Sequence, residues 1–386
     1  MAVVGLKSDV AYGQIEARLI NELVALCEPT AHLSARSGSK CDRWLLASSL
    51  QKCVRRGLCQ DATKVACLLH NLDKDYAWRR LRIIALEDIG LGGIDVVAAT
   101  LAIAGKRQVR AALGDLSRFL ACVQSLATST KDRTACDLLT WINSSPDALA
   151  ARQHLLDDAR SWESLALDVE APIWRRAIAI QLLGGHALRT KAGYRTVSKA
   201  DYLGVRRVIE ALGVPPLVAY VALKGRATDS LNLSLIFAHL LNEAADCRPT
   251  ISHETMVRTP PKIGGLIAPS FCMYTRVGLN ALRQFLRTTG DLRLALAEAG
   301  SNNLFATVGL LIFQVESGLL DRVEEYAPQV RIEAERAELA QFGVTDDSTA
   351  AALRLCAKEN LANLNLARRS AWRAYLKEQG AGGDHG

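Results

Sequence analysis

The chain has no apolar run of the ~18 residues that a membrane-spanning helix needs. The longest, Leu304 to Val315, is interrupted by Thr307 and Gln314 and reads as a buried helix. Met1 to Gln14 shows no basic segment followed by an apolar one, so a secretory signal is not expected. The ten cysteines include no Cys-x-x-Cys pair. Cys53, Cys59 and Cys67 are spaced for neither a zinc knuckle nor a redox motif. Cys122, Cys136, Cys247, Cys272 and Cys356 stand among apolar residues and read as small buried hydrophobes in a reducing cytoplasm. Strand signals are scarce, and no fixed-period repeat is present.

Catalytic signatures are also missing. A P-loop wraps phosphate with backbone amides and a lysine; Gly105-Lys106-Arg107 has neither the earlier glycine nor the following hydroxyl. His253-Glu254 begins like a zinc protease helix but has no second histidine four residues on. No Gly-x-Ser-x-Gly elbow occurs. Glu87-Asp88, Asp157-Asp158 and Glu324-Glu325 are adjacent carboxylates, whose side chains diverge by about 100° on a helix. They read as caps or solvated charges. The expectation is a non-enzyme with no cofactor and no bound metal.

What remains is helix. The 386 residues carry a formal charge of +7, enough chain for two or three domains and a modest bias towards acidic partners such as nucleic acid. Leu46, Leu50, Cys53 and Val54 make the i, i+4, i+7, i+8 stripe of a helix capped by Asp42 and ended by Gly57. A second helix is expected from Asp61, burying Ala62, Val65, Ala66 and Leu69. A third, capped by Asp73 or Asp75, points Trp78, Leu81 and Ala85 inward and closes at Gly90. A fourth covers Ile94 to Ile103. The short connections predict antiparallel neighbours in an all-α helical bundle of two lobes. Breaks fall at Asn143-Ser144-Ser145-Pro146, at Gly184 to Arg195, and at Arg258-Thr259-Pro260-Pro261-Lys262-Ile263-Gly264-Gly265. The expected division is 1–38, an N-terminal helical segment; 39–145, a first helical domain; 146–380, a second with basic loops; and 381–386, a disordered tail.

Two segments carry a resemblance: Leu50-Gln51-Lys52-Cys53-Val54-Arg55-Arg56-Gly57, and Arg79-Arg80-Leu81-Arg82-Ile83-Ile84-Ala85-Leu86-Glu87-Asp88-Ile89-Gly90-Leu91. The region from Lys40 to Lys106 resembles the C-terminal helical region of the RarA/MgsA group of clamp-loader-related AAA+ ATPases. There the matching text reads approximately L-x-K-S-x-R-G, then R-R-L-x-R-x-A-x-E-D-I-G-L-A. The family's nucleotide-binding part would precede this region, and the segment ahead of Lys40 is too short for it, so ATPase activity is not expected to transfer. The resemblance implies collar-like helical packing, a homo-oligomer (a tetramer), and work near single-stranded DNA beside a replication ATPase or single-strand-binding protein. Within the motif, Asp88 and Gly90 read as helix-end chemistry. Arg80 and Glu87 share a helix face, as do Arg79 and Arg82, which pair with carboxylates or contact phosphate.

Three basic clusters are candidates for nucleic acid. Lys52, Arg55 and Arg56 lie opposite the apolar stripe and read as an exposed ridge, which the helix dipole also favours. Arg189, Lys191, Arg195, Lys199, Arg206, Arg207, Lys224 and Arg226 interleave with Tyr194 and Tyr202, a pattern for phosphate neutralisation and base stacking or for a solvated loop. Arg258, Lys262, Tyr274, Thr275, Arg276, Arg283 and Arg287 surround a Pro-Pro and Gly-Gly loop. Gly264-Gly265 permits close backbone approach to a ligand, and Thr275 either holds phosphate at a helix N-terminus or caps the helix. The acidic stretch Glu316 to Glu338 serves self-association or faces solvent. The reading is a cytoplasmic DNA replication or repair accessory that binds single-stranded or junction DNA; its alternative is a scaffold or inhibitor of a replication ATPase without DNA contact.

Overall fold

Asp42 opens the helix Arg43–Arg55 by accepting the Leu45 N–H at 2.8 Å, and Gly57 closes it at φ +64°. The computed structural model describes residues 11–22, 41–158, 161–185, 187–190, 193–196, 198–226, 232–243, 250–252 and 259–381. Helices dominate throughout, so the fold is all-α. Among the described residues the strands form three short antiparallel pairs: Ala187–Thr190 with Gly193–Thr196, Thr250–Ser252 with Val323–Glu325, and Lys262–Ile263 with Leu266–Ile267. No described helix is long and apolar enough to cross a membrane.

The chain folds into two compact units, each assembled from distant segments. The first takes residues 1–31, 78–253 and 322–334; the second takes 32–77, 254–321 and 335–386. The break read at Asn143–Pro146 is the tight link between Thr134–Ser144 and Pro146–Leu156, two packed helices of the first unit. Ser145 caps the second of these, with Pro146 at its first position. Of the tail read at 381–386, Ala381 ends the helix Leu361–Ala381, and residues 382–386 lie outside the described residues.

In the first unit Trp78, Leu81 and Ala85 are buried, as their spacing predicts. The helix Lys74–Ile84 then widens into one π-turn, Ala85–Ile89, followed by a 3-10 turn, Gly90–Gly93. The next helix, Ile94–Ala104, matches its expected span. Helices Asp115–Thr128, Thr134–Ser144, Ile173–Leu183, Pro216–Arg226 and Leu233–Glu243 complete the core around Phe119, Leu138, Ile180, Val221 and Phe237.

In the second unit, every residue of Arg43–Arg55 from Leu45 onward is buried. Helix Cys59–Leu72 packs along it, starting two residues earlier than expected. The Pro-Pro segment leads into the hairpin Lys262–Ile263/Leu266–Ile267, turned by Gly264 and Gly265 at φ +59° and +83°. A Cβ on Gly264 would stand 2.4 Å from Trp372 Nε1, so the close approach serves an indole rather than a ligand. Helix Arg276–Thr288 packs along Leu361–Ala381, and its Phe285 joins Leu296, Leu311, Leu353 and Leu364 in the core. Helix Leu304–Ile312 ends in a second π-turn, Phe313–Ser317.

Candidate nucleic-acid interface

The Glu-Asp-Ile-Gly-Leu motif is a docking joint inside the first unit. Gly90 adopts φ +51°, and a Cβ there would lie 2.6 Å from the Asp132 carbonyl oxygen. The Asp132 N–H donates to the Ile89 carbonyl at 3.1 Å, and the Leu91 N–H donates to the Asp132 carboxylate at 3.2 Å. Glu87 and Asp88 diverge as their spacing requires. Glu87 approaches Arg80 at 3.9 Å, while the fully buried Asp88 faces Arg133 at 3.8 Å. Burial alone would lower the Arg133 pKa, but Cys136, Asp137 and Asp88 hold it above its ordinary value. Burial pushes Asp132 up to about 7 against its hydrogen bonds from Thr134 and Leu91. Arg79 is exposed and Arg82 half-buried; burial, then Arg110 and Arg79, lowers the Arg82 guanidinium. Most of the motif is therefore occupied in packing, and its two outer arginines remain next to a third cation.

The candidate contacts at 189–207 belong to the same unit. Lys191 lies outside the described residues, and Arg189 and Arg195 sit on a hairpin whose backbone pairs Arg189 with Tyr194 and Leu188 with Arg195. Lys199 is exposed. Arg206 pairs with Glu210 at 3.0 Å. Arg207 makes a two-pronged contact with Glu163 at 2.8 and 2.7 Å and lies 3.8 Å from Asp201. That fork holds Glu163 below its ordinary pKa. Tyr202 is exposed, with the Arg226 guanidinium 3.8 Å from its ring centre. Locally, the two central arginines are neutralised.

In the second unit the expected basic ridge turns inward. Lys52, Arg55 and Arg56 are 2%, 4% and 5% exposed, because segments far along the chain cover that face of the helix. Their job there is mostly helix-end chemistry. Arg55 donates to the Ser317 carbonyl at 3.1 Å, and Arg56 donates to the Glu316 carbonyl. Both satisfy the open end of the Phe313–Ser317 turn. Arg368, fully buried, grips the Glu316 carboxylate with two bonds of 2.9 and 2.6 Å and donates to the Phe271 carbonyl at 3.1 Å. Arg56 keeps Nε and Nη1 without a hydrogen-bond partner, and burial pulls its pKa down to about 10.

One turn earlier on the same helix, Lys52 Nζ donates to Ser48 Oγ at 3.0 Å and to Cys272 Sγ at 3.3 Å. Ser48 Oγ in turn donates to the Ser270 carbonyl at 2.8 Å and lies 3.5 Å from Cys272 Sγ. Cys272 is thus no inert apolar filler. Burial pushes a thiol up, as at Cys53, which reaches about 12. At Cys272, Lys52, Ser48 and the Tyr274 N–H together outweigh burial and hold the thiol below its ordinary value.

The candidate contacts at 258–276 surround this point. Arg258 lies outside the described residues. Thr275 is a cap: its hydroxyl accepts the Gly278 N–H at 3.1 Å and donates to the Cys272 carbonyl at 3.1 Å. Lys262 meets Asp61 at 2.7 Å, and Arg276 meets Glu378 at 2.8 Å, both at the surface. Tyr274 is 63% exposed, edge-on to Phe313 and above Lys52 Nζ at 6.0 Å. The acidic stretch is largely paired: Glu316 with Arg368, Glu325 with Arg331, Glu335 with Arg354.

A surface feature outside the candidate clusters also belongs to this unit. Trp44 is 57% exposed and meets Tyr76 edge-on, with ring centres 5.5 Å apart. The Arg43 guanidinium lies 5.3 Å from the Trp44 ring and 5.2 Å from the Tyr76 ring, and pairs with Asp73 at 3.1 Å. The signal in the sequence was a tryptophan in the first helical turn, off the Leu46/Leu50/Val54 stripe. Trp44 and Lys52 are eight residues apart, about 12 Å along the helix axis and about 80° around it, and the Tyr274 ring lies 6.0 Å from Lys52 Nζ. Comparison of the chain with protein-family models, with curated proteins and with solved structures gives no match.

Proposed function

We propose that this chain is a non-enzymatic accessory of DNA replication or repair that binds single-stranded or junction DNA through its second unit. The observation that carries the reading is the exposed Trp44 beside Arg43 and the half-buried Tyr76, together with the exposed Tyr274 over Lys52 in the same unit. Unpaired bases stack on such rings whatever their sequence. Arg276 follows Tyr274 by two residues and Lys262 belongs to the same unit; both pair with carboxylates at the surface, and exposed pairs of this kind are worth about 0–1 kcal/mol, so phosphate displaces them at little cost. Arg207 is less suited, because its two-pronged contact with Glu163 must break first. The resemblance to the RarA/MgsA region supports the setting and a homo-oligomer, in the family's manner a tetramer, working beside a replication ATPase or single-strand-binding protein.

The test is fluorescence anisotropy of a labelled single strand titrated across salt. Affinity should fall with salt with a log–log slope of about −1.4 for two phosphate contacts on a single strand. Trp44→Ala or Tyr274→Ala should each weaken binding by roughly 5- to 150-fold, the worth of one stacked base. Arg206→Ala with Arg207→Ala should leave binding unchanged. No binding at low salt to any single strand or junction removes the reading. The scaffold alternative then gains, since Trp, Tyr and Arg are also the residues that anchor protein interfaces. Light scattering checks the oligomer: a pure monomer counts against the family resemblance.

A further inference from the structure

Cys272 is not a lone cysteine. Two donors converge on its sulfur, Lys52 Nζ at 3.3 Å and the Tyr274 backbone N–H, and Ser48 Oγ, whose proton goes to the Ser270 carbonyl, lies 3.5 Å away. Its carbonyl receives the Thr275 N–H at 3.0 Å and the Thr275 hydroxyl, which places it against the N-terminus of the helix Arg276–Thr288. The backbones touch so closely that a Cβ on Gly278 would lie 2.0 Å from the Cys272 carbonyl oxygen. An adjacent ammonium stabilises a thiolate. The Tyr274 ring, largely exposed, lies over Lys52 Nζ, so the pair sits one side chain below the surface. Such a donor set exceeds what packing a small hydrophobe requires.

We propose that Cys272, hydrogen-bonded by the Lys52 ammonium, is an oxidant-sensitive modification site that reacts through its thiolate with hydrogen peroxide to give a sulfenic acid. In the step, a sulfur lone pair attacks one peroxide oxygen and the O–O bond breaks. The attacked oxygen keeps its hydrogen and becomes the S–OH group. The departing hydroxide takes a proton from Lys52 and leaves as water, so Lys52 becomes a neutral amine. Sulfur loses two electrons and the peroxide gains them. An added dithiol reverses the change. With sulfur and Lys52 both neutral, the charge attraction that holds Lys52 between Ser48 and Cys272 is gone, and the Tyr274 segment loses the thiolate its N–H addresses.

The full chain is exposed to dilute hydrogen peroxide under native conditions, then trapped with dimedone and mapped by peptide mass spectrometry. Cys272 should carry the adduct at least tenfold more than Cys53, a buried thiol of the same unit that serves as the internal control. Dithiothreitol added before dimedone should abolish it. Lys52→Met should cut the Cys272 adduct at least tenfold, and Ser48→Ala should cut it less. Equal labelling of Cys272 and Cys53 in the native protein overturns the proposal without any variant. So does full labelling of Cys272 in a folded Lys52→Met protein. No nucleic acid enters the assay, so its failure is separate from failure of the DNA reading.

Discussion

Two arginines a few ångströms from the same glutamate should behave oppositely when removed. Arg368 offers Glu316 two charge-assisted bonds, and Glu316 is itself buried. Arg368→Met leaves that carboxylate uncompensated, which costs about 3–5 kcal/mol. Arg56 touches only the Glu316 carbonyl, with Nε and Nη1 unpartnered. Burial brings its pKa down to about 10, which corresponds to about 3 kcal/mol working against the charged form on folding. Arg56→Met relieves that cost and gives up one charged hydrogen bond, worth about 1.5–3 kcal/mol. The net change should lie within about 1.5 kcal/mol of zero, with stabilisation the expected sign. The assay is amide hydrogen exchange of the helix Arg43–Arg55, which reports the second unit alone. Arg368→Met should accelerate its slowest amides roughly a few hundred- to a few thousand-fold. Arg56→Met should leave them within roughly tenfold of the parent. Equal acceleration in both variants refutes the argument that unpartnered donors make Arg56 a burden.

The first unit offers two further tests. Gly90→Ala forces a left-handed backbone on a side chain and drives its Cβ to 2.6 Å from the Asp132 carbonyl, for a cost of about 2–4 kcal/mol; thermal melting and faster exchange at Lys131 to Thr134 check it. His239 is fully buried, and burial holds its pKa near 4 instead of 6.5. Because that folded pKa is depressed, its contribution is complete above 6.5 and is lost as pH falls through about 4, roughly 3 kcal/mol in all. Asp132 runs the other way: raised to about 7, its contribution is complete below pH 4 and is lost as pH rises through 7. His239→Gln should therefore uncover the Asp132 slope, and denaturant melts should show first-unit stability rising between pH 7 and pH 5. A falling stability in that variant refutes the assignment.

Local chemistry was legible in the sequence. Asp42, Ser145 and Thr275 cap helices, Gly57 and Gly90 end them, and Trp78, Leu81 and Ala85 face inward, because each depends on residues within a few positions. The burial of Lys52, Arg55 and Arg56 was not, because one apolar stripe suggests a helix with one wet side. Here the other side is covered by carbonyls of Glu316 and Ser317, about 260 residues on. Cys272 misled for the same reason: its neighbours Phe271 and Met273 are apolar, while Ser48 and Lys52 are 220 or more positions away. The strand pairs escaped notice because two to four residues give alternation little length to show. Trp44 was visible as a residue; that it is exposed beside Tyr76 depends on how two helices meet.

The helix Arg43–Arg55 is buried all round from Leu45 onward, and this sets an order of events during synthesis. The carbonyl that Arg56 needs emerges 260 residues later. At ~5–20 residues per second that is a delay of about 13–50 s. Throughout that interval the apolar stripe can pack on the helix Cys59–Leu72, while Arg55 and Arg56 still lack the carbonyls that receive them. A ribosome stalled before Glu316 therefore displays this cationic helix end to whatever guards nascent chains.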